Sequence, residues 1–244
     1  MADIVKSFLT WVLGTAFILL MFPVTVLLWL FSWPAGISST VVHYWVAFQG
    51  RILIRAIPIW KVSLEGVRKK LEGPYVIISN HQSLLDIPLL SLLNCNYRWV
   101  SKIEIFKVPI LGLTMRMAGY IPLERGSLVS IERMMAKAES LIKSGISVII
   151  FPEGTRSKTG MTGKFKSGAF RIAASAGVPI LPVIIDGTYR ILPKKGLVFT
   201  SGHPVKMKIL EPVTQDVTGT SDPDSLAKWF EDLVKRELDS LRSL

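Results

Sequence analysis

The sequence is poor in cysteine, in histidine and in acidic residues. A single cysteine, Cys95, excludes a disulfide within the chain and a cysteine-rich zinc site. The three histidines show no metal-ligand spacing, so we expect no metal. The chain has no glycine-rich loop ending in Lys-Ser or Lys-Thr, and Ser167 lacks a Gly-x-Ser-x-Gly elbow. ATP use and serine-hydrolase chemistry are therefore not indicated, and we expect no cofactor.

The shortage of acidic residues gives the chain a strongly basic balance. Its 29 lysines and arginines against 18 acidic residues leave a net charge of +11. Such a charge predicts an anionic partner, which could be nucleic acid, a lipid surface or a phosphorylated substrate. Because half of the residues are hydrophobic, a freely soluble nucleic-acid binder fits poorly. The composition therefore favours contact with a membrane, and no nucleic-acid partner is expected.

Charge is also missing from one long stretch, since no Asp, Glu, Lys or Arg occurs from position 7 to position 50. A helix over residues 8–33 would be about 39 Å long, enough to cross the ~30 Å hydrocarbon core if tilted. Pro23 and the segment "SWPAG" interrupt this stretch before a second apolar segment that contains Arg51 and Arg55. An antiparallel hairpin in one leaflet therefore competes with a single span. A cleaved signal peptide fits less well, because the apolar run is too long and no small-residue cleavage site follows it.

Near residue 60 the long apolar segments give way to short apolar runs that alternate with helical periodicity. This change divides the chain into a predicted membrane-associating helical hairpin (1–60) and an α/β domain (61–244). Helical periodicity covers about 127–143 and 224–241. The predicted strands are short apolar runs, several of them apolar throughout, as expected for a mostly buried mixed sheet covered by helices: "YVIIS", "YRWV", "YIPL", "SVIIF", "ILPVII" and "VKMKIL".

The segment "NHQSLLD" places His81 and Asp86 directly after the first of these strands. Ligands of open α/β sheets usually bind at the carboxyl ends of strands. Residues five apart on a regular helix lie about 140° apart around the axis, so His81 must precede the helix that holds Asp86. A turn with a capping box from Ser83 to Asp86 would bring the carboxylate to the imidazole. Such a pair would leave one ring nitrogen free as a base. A hydrogen-bonded loop histidine and a helix-capping aspartate, neither of them catalytic, would give the same sequence pattern.

Two further segments place an arginine just beyond a strand. "GYIPLERG" contains Arg125, and "FPEGTRS" contains Arg156. The planar guanidinium matches a phosphate group, and nearby glycines allow the backbone to approach it. A fourth segment, "VPILPVII", contains no chemically active group and is interpreted as a buried strand. Together, a His, an Asp and two Arg at strand ends predict a site for a phosphorylated substrate.

These four segments, in this order, resemble the glycerophospholipid acyltransferase family, and specifically the 1-acyl-sn-glycerol-3-phosphate (lysophosphatidate) acyltransferases. The resemblance covers about residues 61–203, and it includes the histidine and aspartate separated by four residues. Glu124 stands where many members have Asp or Asn, a small departure. The resemblance implies the glycerolipid acyltransferase fold and an N-terminal two-helix membrane motif.

The resemblance also implies an activity. His81, oriented by Asp86, would deprotonate the sn-2 hydroxyl of lysophosphatidate, which would attack an acyl thioester directly to give phosphatidate. The donor would be acyl-ACP or acyl-CoA, with acyl carrier protein as a transient partner. Another lysolipid or glycerol-3-phosphate as acceptor stays an alternative, as does a basic lipid-binding protein that is not an enzyme. Because acyl thioesters are used in the cytosol, the catalytic domain is expected on the cytoplasmic face of a membrane, the inner membrane if the source is bacterial.

By the same resemblance, several residues would bind or surround the substrates. Lys102, Arg125 and Arg156 would bind the phosphate of the acceptor, while Glu153, Gly154 and Thr155 would shape the site around it. Lys164 and Lys166 would contact the donor. His43, in the apolar segment, and His203 have no partner at a useful spacing and are predicted not to be catalytic.

Overall fold

The computed structural model describes residues 2–56, 60–67, 71–220 and 222–243. The first part of the chain forms α1 (Ala2–Ser32), α2 (Ser38–Ala56), β1 (Trp60–Gly66), β2 (Val76–Ser79), α3 (Asp86–Leu90), β3 (Tyr97–Lys102), a 3₁₀ turn (Ile105–Lys107), α4 (Leu111–Met117) and β4 (Ile121–Leu123). It continues with α5 (Leu128–Lys143), β5 (Ser147–Ile150), α6 (Gly168–Ala176), β6 (Ile180–Asp186), α7 (Thr188–Ile191), β7 (His203–Ile209), α8 (Gln215–Thr218) and α9 (Pro223–Ser243).

The strands form one seven-stranded sheet in the order β1-β7-β6-β2-β5-β3-β4. The strands from β6 to β4 are parallel neighbours, whereas β7 pairs antiparallel with β6 and parallel with β1. The sheet is therefore mixed, and the predicted α/β class is confirmed. Since β2 lies at the centre, His81 follows the middle strand of the sheet.

The two faces of the sheet pack against different helices. Strand residues alternate between the faces, so Ile77 joins one core and its neighbours Val76 and Ile78 join the other. The first face is covered by α3 and α7 together with Ile54 of α2. The second is covered by α5, α6 and α9, whose buried side chains include Phe170 and Phe230. This burial on both faces explains the continuous apolar runs of the central strands.

Strand β1 is the element that the apolar runs did not predict. Its sequence alternates Lys61, Ser63 and Glu65 with Val62 and Leu64, and it pairs with β7 alone, at the edge of the sheet. An edge strand with one solvated face reads as alternation instead of as an apolar run. Strand β1 therefore has no continuous apolar run by which it could be predicted.

Helices α1 and α2 are joined by a turn and pack against each other. Helix α2 also packs on the α/β domain through α3 and α4, and its Val42, Ala47 and Gly50 are buried. Most large apolar side chains of α1 are exposed instead, including Phe8 at 66 % and Phe31 at 82 %. Within the described residues, α1 is the one helix long and apolar enough to cross a membrane. The uncovered apolar surface of the hairpin therefore belongs mainly to its first helix.

Pro23 does not interrupt α1, contrary to the expectation from sequence. The helix continues from Ala2 to Ser32, and the break falls at the turn that follows Ser32. Proline removes one backbone hydrogen bond, but apolar helices tolerate it when their surroundings and small local adjustments compensate. The "SWPAG" segment, which contains a proline and a glycine, determines where the hairpin reverses.

His43 lies in α2, but it does not face the outside. It is fully buried, its Nδ1 lies 3.3 Å from Tyr120 Oη, and its ring packs edge-on against Tyr97. The neighbouring Arg98, also buried, donates a hydrogen bond to Thr40 Oγ1 at 3.1 Å. These polar contacts attach the second helix of the hairpin to strand β3.

Candidate active site

The topology of the sheet opens a crevice at its carboxyl edge. The chain leaves β2 towards α3 on the first face, and it leaves β5 towards α6 on the second face. Because β2 and β5 are parallel neighbours, their two outgoing loops diverge. Ligands of open α/β sheets bind at such a switch point, and here the two loops contain "NHQSLLD" and "FPEGTRS".

His81 and Asp86 are in contact within this crevice. The imidazole Nδ1 lies 2.7 Å from Asp86 Oδ2, and helix α3 begins at Asp86, as the spacing required. Since a carboxylate accepts hydrogen bonds, Nδ1 carries the proton and Nε2 is left with its lone pair. The Asp86 side chain is fully buried and the His81 side chain is 15 % exposed. The pair therefore leaves Nε2 to act as a base, in a side chain that is partly open to solvent.

Asp86 accepts hydrogen bonds at both of its oxygens. Besides His81, Oδ2 accepts from the backbone N–H of Gln82 at 2.7 Å and of Ser83 at 2.9 Å. Oδ1 accepts from Thr188 Oγ1 at 2.6 Å. The predicted capping box forms only in part. The Ser83 hydroxyl accepts from the backbone N–H of Leu85, the residue directly before α3, at 3.3 Å, and it donates to Leu192 O. Such complete hydrogen bonding holds a buried carboxylate in one orientation.

Three contacts from the loop after β5 fix the other side of His81. Its ring stacks on Phe151 with centroids 3.9 Å apart and an angle of 11° between the planes. Its backbone N–H donates to Glu153 Oε1 at 2.8 Å. Its carbonyl accepts from the backbone N–H of Ser157 at 2.7 Å. The loop after β5 thus contacts both the ring and the backbone of His81.

Glu153 braces the loop in this structure. Its second oxygen accepts from the backbone N–H of Gly163 at 2.9 Å, so both carboxylate oxygens bind the chain itself. Burial raises the pKa of the Glu153 carboxyl, and the backbone donors of His81 and Gly163 oppose that rise. Gly154 follows with a φ of +65°, a left-handed conformation that favours glycine. These two residues determine the path of the loop.

The three predicted phosphate ligands follow neighbouring strands along the same edge. Arg156 follows β5, Lys102 ends β3, and Arg125 follows β4, in that spatial order away from His81. Strand spacing places β4 roughly 14 Å from β2, so Arg125 must extend along the edge to share a ligand with His81. Arg125 is exposed and Arg156 is half-buried. Lys102 forms an ion pair with Glu104 at 2.8 Å, so it is already partnered.

Thr155 and the two predicted donor lysines lie on the same loop. The Thr155 hydroxyl accepts a hydrogen bond from Lys194 Nζ at 2.8 Å. Lys164 and Lys166 are exposed, and the end of Lys166 lies beside Gly154. The loop therefore presents several cations close to the His81 crevice.

Sequence reasoning did not identify Thr188, Gln82 or Arg242 as parts of this site. Gln82 Nε2 donates to Gly160 O at 3.0 Å, and Arg242, near the end of α9, donates to the same carbonyl at 2.8 Å and to Asp186 Oδ1 at 2.8 Å. Thr188 follows strand β6, so the strand-end criterion used for His81 would have found it. Arg242 lies in a regular amphipathic helix, where no sequence signal marks it.

The arrangement can act as a general base towards a hydroxyl group. An imidazole held by a carboxylate accepts a proton and is stabilised as an imidazolium. Cys95, in contrast, is not suited to form a thioester with a substrate, because burial raises the pKa of its thiol to about 12. The geometry therefore favours base-assisted transfer over covalent catalysis by that thiol.

Comparison with known proteins assigns the chain to a family. The Acyltransferase family profile matches residues 61–186, just over half of the chain. The chloroplastic 1-acyl-sn-glycerol-3-phosphate acyltransferase BAT2 of Brassica napus is 40 % identical over 162 residues, which cover 66 % of this chain and 47 % of the relative. The 1-acyl-sn-glycerol-3-phosphate acyltransferase alpha of Mus musculus is 32 % identical over 187 residues, 72 % of this chain and 65 % of the relative. The chain belongs to the Acyltransferase family.

A solved structure extends the similarity to the whole fold. The crystal structure of the 1-acyl-sn-glycerophosphate (LPA) acyltransferase PlsC from Thermotoga maritima superposes with a TM-score of 0.85 at 29 % identity, covering 100 % of this chain and 97 % of that one. The Brassica relative and the Arabidopsis thaliana LPAT1 relative are longer, since the chain spans 47 % and 40 % of their lengths.

Proposed function

We propose that the protein transfers a fatty acyl group from an acyl thioester to the sn-2 hydroxyl of 1-acyl-sn-glycerol-3-phosphate, giving phosphatidate. The observation that carries the proposal is the 2.7 Å contact between His81 Nδ1 and Asp86 Oδ2, in a family whose similar members are named for this reaction.

The transfer proceeds in one direct displacement. His81 Nε2 takes the proton of the acceptor hydroxyl while its oxygen attacks the thioester carbonyl. The tetrahedral intermediate then collapses, the carbon–sulfur bond breaks, and the imidazolium returns the proton to the leaving thiolate. Asp86 stabilises the positive charge that His81 carries in between. Base catalysis of this type contributes roughly 10²–10⁴-fold, and positioning of the two substrates contributes much of the rest.

The phosphate of the acceptor binds along the strand-end row of cations. Arg156 and Arg125 are the main ligands, because their guanidinium groups match a phosphate in two-pronged geometry. Neither forms an ion pair with a carboxylate in the part of the chain that the structure describes. Lys102 exchanges Glu104 for the phosphate when substrate enters. Glu153, Gly154 and Thr155 shape this part of the site by holding the loop against His81.

The donor thioester is carried by coenzyme A or by acyl carrier protein. Both carriers present phosphate or carboxylate groups near the phosphopantetheine arm, and Lys164 and Lys166 lie on the exposed part of the loop to meet them. Basic side chains at such a rim chiefly increase the association rate of an acidic partner.

Helix α1 lies in one leaflet, and the catalytic domain faces the cytoplasm, where acyl thioesters are made. Support comes from Ser7, whose hydroxyl accepts from Phe199 N at 2.8 Å, and from Trp11, whose ring nitrogen donates to Leu197 O at 2.7 Å. The start of α1 thus contacts the catalytic domain, an arrangement that keeps both on one side of the bilayer. The active site would then open at headgroup level, where lysophosphatidate is found.

The test is an acylation assay with purified protein in detergent. We expect release of free thiol and formation of phosphatidate only when both oleoyl thioester and lysophosphatidate are present. Glycerol-3-phosphate, dihydroxyacetone phosphate and lysophosphatidylcholine are compared as acceptors at matched concentration. Faster turnover with one of these than with lysophosphatidate would show that this compound is the acceptor. No turnover with any acceptor would favour a lipid-binding protein that is not an enzyme.

A further inference from the structure

The segment 194–199, between α7 and β7, contacts the start of helix α1. Trp11 donates to the carbonyl of Leu197 and stacks obliquely on Phe199, with ring centroids 5.1 Å apart. Ser7 accepts from the backbone N–H of Phe199. The tip of the segment therefore lies beside the helix with the uncovered apolar surface.

The other end of the same segment reaches the active-site loop. Lys194 Nζ donates to Thr155 Oγ1 at 2.8 Å, and Thr155 precedes Arg156, a proposed phosphate ligand. Two residues after Thr155, Ser157 donates to the carbonyl of His81. Among the described ion pairs, none includes Lys194. Its ammonium group therefore contacts the loop that follows β5, and no described carboxylate pairs with it.

The tip of the segment is apolar and exposed. Leu197 is 72 % exposed and Val198 42 %, and the adjacent turn of α1 exposes Ile4 at 61 % and Phe8 at 66 %. These side chains extend one apolar surface from the helix to the loop. Contiguous exposed apolar surface of this kind marks an interaction site, and its continuity with α1 identifies the occupant as lipid.

We propose that the segment 194–199 inserts into the headgroup layer of an anionic bilayer beside α1 and places Lys194 on the acceptor phosphate. Leu197 and Val198 enter the upper acyl-chain region, which fixes the height of the segment relative to the bilayer. Lys194, three residues before Leu197, then lies at the level of the phosphate groups. The assignment rests on the proposed function for its substrate and adds a membrane contact and a phosphate ligand that the motifs do not contain.

The membrane part is tested with Leu197→Ser in the full-length protein. Binding is measured by sedimentation with vesicles of phosphatidylglycerol, which requires no enzymatic activity. Loss of one inserted leucine should weaken vesicle binding roughly tenfold and lower activity on vesicle-borne lysophosphatidate, with no change on a dispersed short-chain acceptor. Val217→Ser is the matched control, since Val217 is 66 % exposed. It lies in α8, near the amino end of β6 and so at the end of the sheet away from His81.

Unchanged vesicle binding by Leu197→Ser would overturn the membrane contact, whether or not the protein acylates lysophosphatidate. A raised KM for acyl carrier protein with the dispersed acceptor would also overturn it, because the tip would then contact the donor.

The phosphate part is tested with Lys194→Gln on the dispersed acceptor. We expect the KM for lysophosphatidate to rise roughly tenfold, as for loss of one charge-assisted hydrogen bond, with the KM for the donor unchanged. Lys194→Arg should retain most of the affinity. Lys143→Gln makes the same charge change at the end of α5, on the opposite sheet edge, and should have no effect. An unchanged acceptor KM in Lys194→Gln would exclude Lys194 as a phosphate ligand.

Discussion

Thr188 Oγ1 donates a 2.6 Å hydrogen bond to Asp86 Oδ1, and both side chains are fully buried. Thr188 reaches Asp86 because Gly187 turns the chain sharply at the end of β6, with a φ of +93°. A Cβ at Gly187 would lie 2.1 Å from the carbonyl oxygen of Pro204, so only glycine allows this close approach. The first residue of α7, directly after strand β6, thus supplies a hydrogen bond to the carboxylate that orients His81.

Thr188→Val should lower kcat by roughly tenfold, because Asp86 would lose a buried charge-assisted hydrogen bond and its fixed orientation. Thr188→Ser keeps the hydroxyl and should retain most of the activity. The measurement is kcat at saturating substrates, with circular dichroism to verify folding. Equal kcat in the valine variant and the wild type would show that Thr188 does not position Asp86.

His81→Ala should lose roughly 10²–10⁴-fold in kcat while the fold remains intact, since the base is removed. Asp86→Asn should also be severely impaired. Both Asp86 oxygens accept hydrogen bonds, so the amide NH₂ of asparagine would face a donor in either orientation. Steady-state turnover of purified variants provides the check. Substantial activity in folded His81→Ala would reject the mechanism.

Cys95→Ser should leave turnover nearly unchanged, because burial raises the pKa of the Cys95 thiol to about 12 and transfer is direct. Incubation of the wild type with radiolabelled donor alone should leave no label on the protein. The label is followed by gel electrophoresis under denaturing conditions. A covalent adduct released on addition of acceptor would establish an acyl-enzyme instead.

Arg125→Gln and Arg156→Gln should each raise the KM for lysophosphatidate by roughly tenfold, with a smaller change in the KM for the donor. Arginine-to-lysine substitutions should recover only part of the loss, because the two-pronged geometry is missing. Arg133→Gln, on the exposed side of α5, serves as the control. If both KM values rose equally, the arginines would have a structural role.

A cysteine at position 2, in the Cys95→Ser background, reports the side of the membrane on which the chain begins. The contacts of Ser7 and Trp11 with the 197–199 loop keep the start of α1 beside the catalytic domain. An impermeant maleimide added to intact cells should therefore leave this cysteine unmodified, and permeabilised cells should show full labelling. Modification from outside would establish a span across the bilayer.

The strand-end positions of His81, Arg125 and Arg156 could be predicted from sequence, because an apolar run followed by a polar residue is a local pattern. The contact between His81 and Asp86 was predictable for the same reason, since the six residues of one short turn determine it. Buried strands are visible in sequence as continuous apolar runs, which also gave the α/β class. The start of α5 after Ser127 was visible too, and the Ser127 hydroxyl caps that helix.

The break in α1 shows where local rules fail. Proline inside a helix removes one hydrogen bond, yet α1 continues through Pro23, because neighbouring turns and an apolar environment compensate. Similarly, the alternating sequence of β1 predicts a strand only once its partner β7 is known. In both cases the sequence specifies a local conformational preference, and tertiary contacts and solvent exposure determine whether the backbone adopts it.

The sequence by itself determined the membrane-compatible first helix, the order along the chain of the six strands from β2 to β7, and the His-Asp pair. Neighbouring residues alone set hydropathy, periodicity and a short turn. Only the tertiary structure decided that β2 lies between β5 and β6, that α2 packs on the catalytic domain, and that Thr188, Lys194 and Arg242 meet the active-site loops. The three side-chain contacts join residues 39 to 102 positions apart along the chain. They depend on strand order and helix packing, which minimise the exposed apolar surface of the whole domain and are not encoded in any local pattern.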